Sequence, residues 1–362
     1  MRRASYFLAV LIGAYCFYSC QSYRVVGVEM YKPSTVTFPP EIKTVMIVNN
    51  AAQQPDNFGH RFVNQDQDAN LSVSVDSMAY LFCLSLGKAI AESPLFDDVR
   101  LYTDTVRRDS VFHITKPFST RDVEQFCDEH GVDALITLDQ LIFKTQLNNG
   151  DSSPLSTWQE FNIWEISNYK NIVNIWYILY INVTGELTAI WPGENVAFTI
   201  RFADSLVWRT DFHDRRETIS VQDVQYGIRY LSEYSAQKMH IHFVPNWIEG
   251  ERWYYTSINS DWKRAAAYAA AEKWEAAGEL WLPLFNKATK KSRKVRLASN
   301  LALVNEITGD FSKAVEFAAI ADSLLQEITD EDNIYRIKQR EYLEELKMRL
   351  EDEKQLSKQL RE

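Results

Sequence analysis

The stretch Asn300-Leu-Ala-Leu-Val-Asn-Glu-Ile-Thr-Gly-Asp-Phe-Ser-Lys-Ala-Val-Glu-Phe-Ala318 decides the reading of the carboxy-terminal third. Ala302 is small enough for one helix to approach another closely. Gly309 can take the positive φ needed just past a helix C-terminus. Phe311, Ala314, Ala318 and Ala321 then return at three- and four-residue spacing on one face of a second helix. The pattern recurs 37 residues upstream, where Trp274, Ala277 and Trp281 fall on Phe311, Ala314 and Ala318, and Ala265 and Tyr268 on Ala302 and Asn305. A fixed period of this size marks stacked helix pairs. Trp262 to Leu325 is therefore expected to form two helical hairpins. A plain bundle with coincidental small residues is the alternative. The first copy carries Glu272 where the second has Gly309, which leaves its interhelix connection open.

The second copy resembles a tetratricopeptide repeat, a family whose helix pairs commonly bind proteins. Two copies are fewer than the ~3 needed for a stable stack, so the last helix or the preceding domain must cover the remaining apolar face. Trp262, Tyr268, Trp274, Trp281 and Asn305 are the candidate interaction surface. Together with Trp247 and Trp253 these aromatics could line a sugar- or peptide-binding groove, or form an interior.

At the other end, residues 1–20 read as a targeting signal: Arg2 and Arg3 are followed by an apolar run from Tyr6 to Tyr15. The run is shorter than the ~20 residues that span a bilayer. It ends Phe17-Tyr18-Ser19-Cys20, which resembles a bacterial lipobox. That resemblance implies an acylated Cys20 and a lipid-bilayer anchor. The residue after Cys20 is not Asp, which by the same resemblance implies the outer membrane, and no acidic cluster of the kind that sends some lipoproteins to the cell surface follows it, which implies a position facing the periplasm. A cleaved signal peptide is the alternative. Cys83 and Cys127 then remain as buried thiols or a disulfide.

The formal charge of −10 becomes −12 without Arg2 and Arg3. An acidic chain repels phosphate backbones, so no nucleic-acid partner is expected. Residues 21–40, with Pro33, Pro39 and Pro40, read as a linker. Residues 41–257 read as an α/β domain. Its strands are expected at Thr44–Val48, Val99–Tyr102 and Val132–Phe143. Helices at Asp76–Glu92, capped by Ser74 or Asp76, and up to His130, capped by Ser119 or Thr120 and closed by Gly131, alternate with them. That order predicts parallel pairing. Ile175–Thr184 and Val196–Phe202 read as an antiparallel meander continuing the same sheet, and a helix follows from Ser220 to Lys238. Residues 49–70 read as a long polar loop. Residues 258–326 hold the hairpins, and 327–362 a charged capping helix and tail. The fold class is α+β, a mixed sheet with flanking helices, followed by an all-α helical-repeat domain.

The α/β pattern resembles the amino-terminal domain of the TolB type. With the closure Pro245-Asn246-Trp247 and Arg252-Trp253-Tyr254 and the helical end, the chain resembles a family of uncharacterised Gram-negative lipoproteins, which implies location and architecture but no activity.

No chemical motif stands out. Ser85-Leu-Gly-Lys88 has the spacing of Ser–Lys acyl enzymes without their partner motifs. Asp66, Asp68 and Asn70 begin like a calcium loop, but Leu71 stands where Gly is needed. His240 and His242 have no third ligand nearby in sequence, and His213–Glu217 reads as an exposed turn. The expectation is a non-catalytic scaffold without cofactor or metal, binding an envelope protein or peptide. A glycan- or peptide-binding or hydrolytic lipoprotein is the alternative.

Overall fold

The computed structural model describes residues 23–63, 68–107, 109–150, 175–194, 197–212 and 221–360. Cys20, Asp66 and the cluster 213–217 lie outside them. The chain forms two compact units. The first strand, β1 (Tyr23–Lys32), belongs to the second unit and is taken up there.

Within Ser34–Pro245 the elements run β2 (Thr44–Asn49), β3 (His60–Val63), β4 (Asp68–Asn70), α1 (Met78–Ala91), β5 (Asp98–Thr105), α2 (Thr120–His130), β6 (Ala134–Gly150), β7 (Ile175–Ile190), β8 (Phe198–Phe212) and α3 (Val221–Met239). The β-branched run of β2 is covered on both sides, as a central parallel strand should be. β2 pairs in parallel with β5 and with the first half of β6. β3 pairs in parallel with the second half of β6 and antiparallel with β4. β7 runs antiparallel along the other edge of β6, and β8 follows it. The expected parallel core and antiparallel meander are thus one mixed sheet.

α1 and α2 lie on opposite faces of the sheet, as the general right-handedness of parallel crossovers requires when the path steps from β2 outward to β5 and then back past β2 to β6. Phe82, Leu86 and Ile90 of α1, with Ile228 and Leu231 of α3, cover Val45, Ile47, Ile136 and Leu179. Each such fully buried side chain contributes about 1.5–3 kcal/mol. Val123 and Cys127 of α2 cover Met46, Val48 and Leu135 on the other face. Ser119 and Asp122 form a reciprocal capping box on α2, and Gly131 closes it at φ 60°. The cap of α1 differs from expectation: Ser77 holds the position in a left-handed conformation without a side-chain bond. Residues 49–70 are not one loop, since β3 and β4 lie within them. Between β2 and β3 the edge of β6 is closed by Gln54. Its amide donates to the Phe143 carbonyl at 2.8 Å and accepts from the Phe143 N–H at 2.7 Å, as a neighbouring strand would.

The second unit joins residues up to Pro33 to Asn246–Leu360. It comprises β1, β9 (Asn246–Tyr255), α4 (Ser260–Ala270), α5 (Trp274–Lys287), α6 (Lys291–Ile307), α7 (Phe311–Gln326) and α8 (Ile334–Leu360). β1 and β9 form a two-stranded antiparallel ribbon, Tyr23 facing Tyr255 and Lys32 facing Asn246. This corrects two boundaries. The expected linker 21–40 contains a ten-residue strand, because its prolines begin only at Pro33. β9, inside the expected domain 41–257, packs with the helices. The architecture is a mixed sheet with helices, then five helices.

The α4–α5 and α6–α7 turns match bond for bond at the 37-residue spacing. Lys273 N–H donates to the Tyr268 carbonyl at 2.9 Å, and Asp310 N–H to the Asn305 carbonyl at 2.8 Å. Glu272 N–H reaches Ala269, as Gly309 N–H reaches Glu306. Both pairs have the Schellman arrangement. Glu272 sits at φ 58° and Gly309 at φ 84°, so the turn lacking its glycine is built the same way, with a strained residue in the glycine position.

Candidate functional site

The helical unit carries a groove of about 920 Å³. One wall is β1, where consecutive residues Val26, Gly27, Val28 and Glu29 all line it. Successive strand residues point to opposite faces, so β1 presents its edge to the groove. The opposite wall is α8, through Arg349, Asp352, Glu353, Leu356 and Leu360. The two Schellman turns contribute Glu272, Trp274, Gly309 and Phe311. Trp247 and Tyr31 stand across the ribbon from one another with ring centroids 4.9 Å apart, and Trp247 is 66% exposed.

Behind the groove lies a buried charge cluster. Glu306 of α6 has no exposed side-chain area. Its two oxygens accept from Nε of Arg252 at 3.1 Å each, one accepts from the Tyr342 hydroxyl at 2.7 Å, and the other pairs with Arg349. Arg252 also reaches Glu345 at 2.9 Å and lies over the Tyr342 ring. Arg349 lies 4.6 Å from the centre of the Phe311 ring. Burial pushes the Tyr342 hydroxyl well above its ordinary pKa, with Glu306 adding to the rise, so it stays protonated and donates. A buried carboxylate held by two guanidinium groups and a phenol fixes β9, α6 and α8 to one another.

The residues anticipated as an interaction surface divide. Trp262, Trp274 and Trp281 are 2, 8 and 0% exposed, which corrects the expectation that they form a surface. They pack with Tyr254 of β9, whose ring lies 5.9 Å from Trp274 and 6.0 Å from Trp281. Their area is too large to leave wet once β9 lies across the helices. Trp262 Nε1 donates to the Tyr255 carbonyl at 2.8 Å. Tyr268 is 36% exposed, and Asn305 is half-buried, its amide spent on the Leu301 carbonyl. Of the five only Trp274 touches the groove. Trp247, named beside them as a possible groove-lining aromatic, also lines it, whereas the walls supplied by β1 and α8 were missed because those segments lie far apart in sequence. Glu306 did leave a signal: a carboxylate inside the apolar run Leu301–Ile307.

In the α/β unit, Asp139 occupies the bulge where the β6–β7 register shifts, and it is buried. Its Oδ1 accepts from Asn50 at 2.7 Å and from Thr137 at 3.0 Å. Burial raises its pKa. Asn50 also opens onto a shallow cleft of about 330 Å³ at the carboxyl ends of the parallel strands, beside Lys116 and Phe126. Ser85 of α1 is half-buried and Lys88 exposed. His242 lies in a short 3₁₀ turn with its ring on Thr35. Cys83 and Cys127 are buried free thiols. Among the described residues, no group of three or more His, Cys, Asp or Glu is placed to hold a metal ion, and no helix is long and apolar enough to cross a membrane.

Comparison with known families finds two matches. Residues 42–255, more than half of the chain, match the family described as Domain of unknown function (DUF8603). Residues 263–348, from α4 into α8, match Domain of unknown function (DUF6340). No curated protein matches the chain. With its mixed sheet, the three helices that flank it and β9 all inside the first match, the chain belongs to the DUF8603 family.

Proposed function

We propose that this protein is a non-catalytic, lipid-anchored scaffold of the bacterial outer membrane, facing the periplasm, whose tetratricopeptide-like helical unit binds another envelope protein or peptide. The observation that carries the reading is the groove, large and lined by aromatic and charged side chains, at the repeated turns of the helical unit. The matching turns at Glu272 and Gly309 support the repeat. The lipobox-like Phe17-Tyr18-Ser19-Cys20 supports the anchor, since several buried acyl chains at ~0.8 kcal/mol per methylene hold a protein stably on a bilayer.

Two measurements test it. Intact mass and membrane fractionation of wild type beside Cys20→Ala should show acylated protein in the outer membrane only for wild type. Crosslinked membranes should yield a reproducible partner; an empty pull-down would sink the scaffold reading. A second reading, glycan binding, is favoured by one feature: Trp247 is exposed and backed by Tyr31, as a sugar-stacking platform requires. A glycan array on which wild type and Trp247→Ala behave alike would remove it.

A further inference from the structure

We propose that the groove receives an extended, lysine- or arginine-bearing segment of a partner protein, which adds as a third strand to the free edge of β1. The inference rests on the scaffold reading and specifies the partner's chemistry.

Three observations carry it. β1 is ten residues long and pairs only with β9 among the described residues. In an antiparallel pair the backbone groups not bonded to the partner point away from it, which leaves a template for another strand. That template opens into the groove, since Val26, Gly27, Val28 and Glu29 all line it. The span from Val26 to Tyr31 accommodates about six residues at ~3.3 Å each. Main-chain bonds to an edge supply affinity in this mode, and pockets for alternate side chains supply selectivity.

The charge of the lining chooses the occupant. Glu29, Glu272 and Glu353 are exposed and have no side-chain partner among the described residues. Among the described residues that line the groove the one cation, Arg349, is engaged by Glu306 and the Phe311 ring, and Lys32 at the end of β1 pairs with Asp352 at 2.6 Å. The groove is therefore a sink for positive charge and repels carboxylates. Trp247 offers an exposed ring face to a guanidinium or ammonium group, and Leu356 and Leu360 offer apolar contact to the alternate side chains.

The test is fluorescence anisotropy on the full chain with labelled heptapeptides. One alternates Lys and Val, one alternates Glu and Val, and one is the Lys peptide with alternate backbone nitrogens methylated. The Lys peptide should bind at least tenfold more tightly than the Glu peptide. It should lose at least tenfold with the double variant Glu29→Lys, Glu353→Lys, and lose binding on methylation. Equal binding of Lys and Glu peptides, no binding, or indifference to methylation would overturn the proposal. So would binding that appears only after residues 1–20 are removed, which would assign the groove to the chain's own amino-terminal segment. A photo-crosslinker at Tyr268, outside the groove, separates the two claims. Reproducible capture of a partner there while the peptides fail leaves the scaffold reading standing and the strand-addition proposal refuted. Absence of both capture at Tyr268 and peptide binding refutes both.

Discussion

Replacing Glu306 by Ala should destabilise the helical unit by about 3 kcal/mol. The substitution removes the acceptor shared by Arg252, Arg349 and Tyr342. Deleting one partner of a buried ion pair typically costs ~3–5 kcal/mol, because the other charge stays buried and unmatched. The structure places this case at the lower end. Arg349 lines the groove and can turn toward water. Arg252 keeps Glu345 at 2.9 Å. What remains is the Tyr342 hydroxyl without its acceptor, and a guanidinium, 6% exposed, held by a carboxylate that is itself half in solvent. For a unit of this size 1 kcal/mol shifts the melting temperature by ~3–4 °C, so the transition should fall by about 10 °C. Differential scanning calorimetry reads it, and the transition of the α/β unit serves as internal control. A shift under ~3 °C would refute the reasoning, since it would place the loss below 1 kcal/mol. The combined replacement Glu306→Leu, Arg252→Met, Arg349→Leu, Tyr342→Phe should recover most of the loss, because apolar residues of similar volume often substitute for a buried polar cluster without penalty.

Three further outcomes are expected. Asp139 has its folded pKa raised by burial, so its contribution to stability is present below the ordinary Asp value of ~3.9 and declines as pH rises through the folded pKa; urea melts from pH 4 to 8 should show this decline in wild type and its absence in Asp139→Asn, whose amide oxygen still accepts from Asn50 and Thr137. Glu272→Gly should stabilise the helical unit by about 1 kcal/mol and Gly309→Ala should destabilise it similarly, because a left-handed conformation costs a non-glycine residue ~1–2 kcal/mol; thermal melts showing the same sign for both would contradict the matched turns. In native protein at pH 8 neither internal thiol should react with iodoacetamide, since burial pushes Cys127 up to about 11, helped by Asp128 and Asp133, and raises Cys83 further; rapid labelling of Cys83 without urea would show that the α1 face opens.

What could be read from sequence was what is local. The Ser119 cap, the Gly131 stop, the parallel order of β2, β5 and β6, and the hairpin spacing all depend on residues within one or two elements of each other. β1 escaped because a strand at the ribbon's edge alternates weakly, and its partner lies beyond Pro245. The Trp262, Trp274 and Trp281 side chains were ambiguous for the same reason: the covering residue, Tyr254, arrives on β9. The groove was illegible because Glu29, Glu272 and Glu353 come from three separate segments. Two buried amides illustrate the limit. Gln54 bonds both main-chain groups of Phe143, and Asn300 does the same for Tyr255 at 2.6 and 2.8 Å. Each reads as an ordinary polar residue until the strand it completes is known.

The pairing of β1 with β9 has a consequence for how the chain comes into being. Lys32 faces Asn246 across the ribbon, so the α/β unit is an insertion between two strands that would otherwise form a hairpin. During synthesis at ~5–20 residues per second, β1 waits on the order of 10–40 s for its partner, while the inserted unit can fold meanwhile. Among the described strands the first to be made is thus the last to be paired. Joining Lys32 to Asn246 through a two-residue turn such as Asn-Gly would convert a discontinuous unit into a continuous one. A deletion that begins the chain at Ser34 would instead leave the helices without their strand.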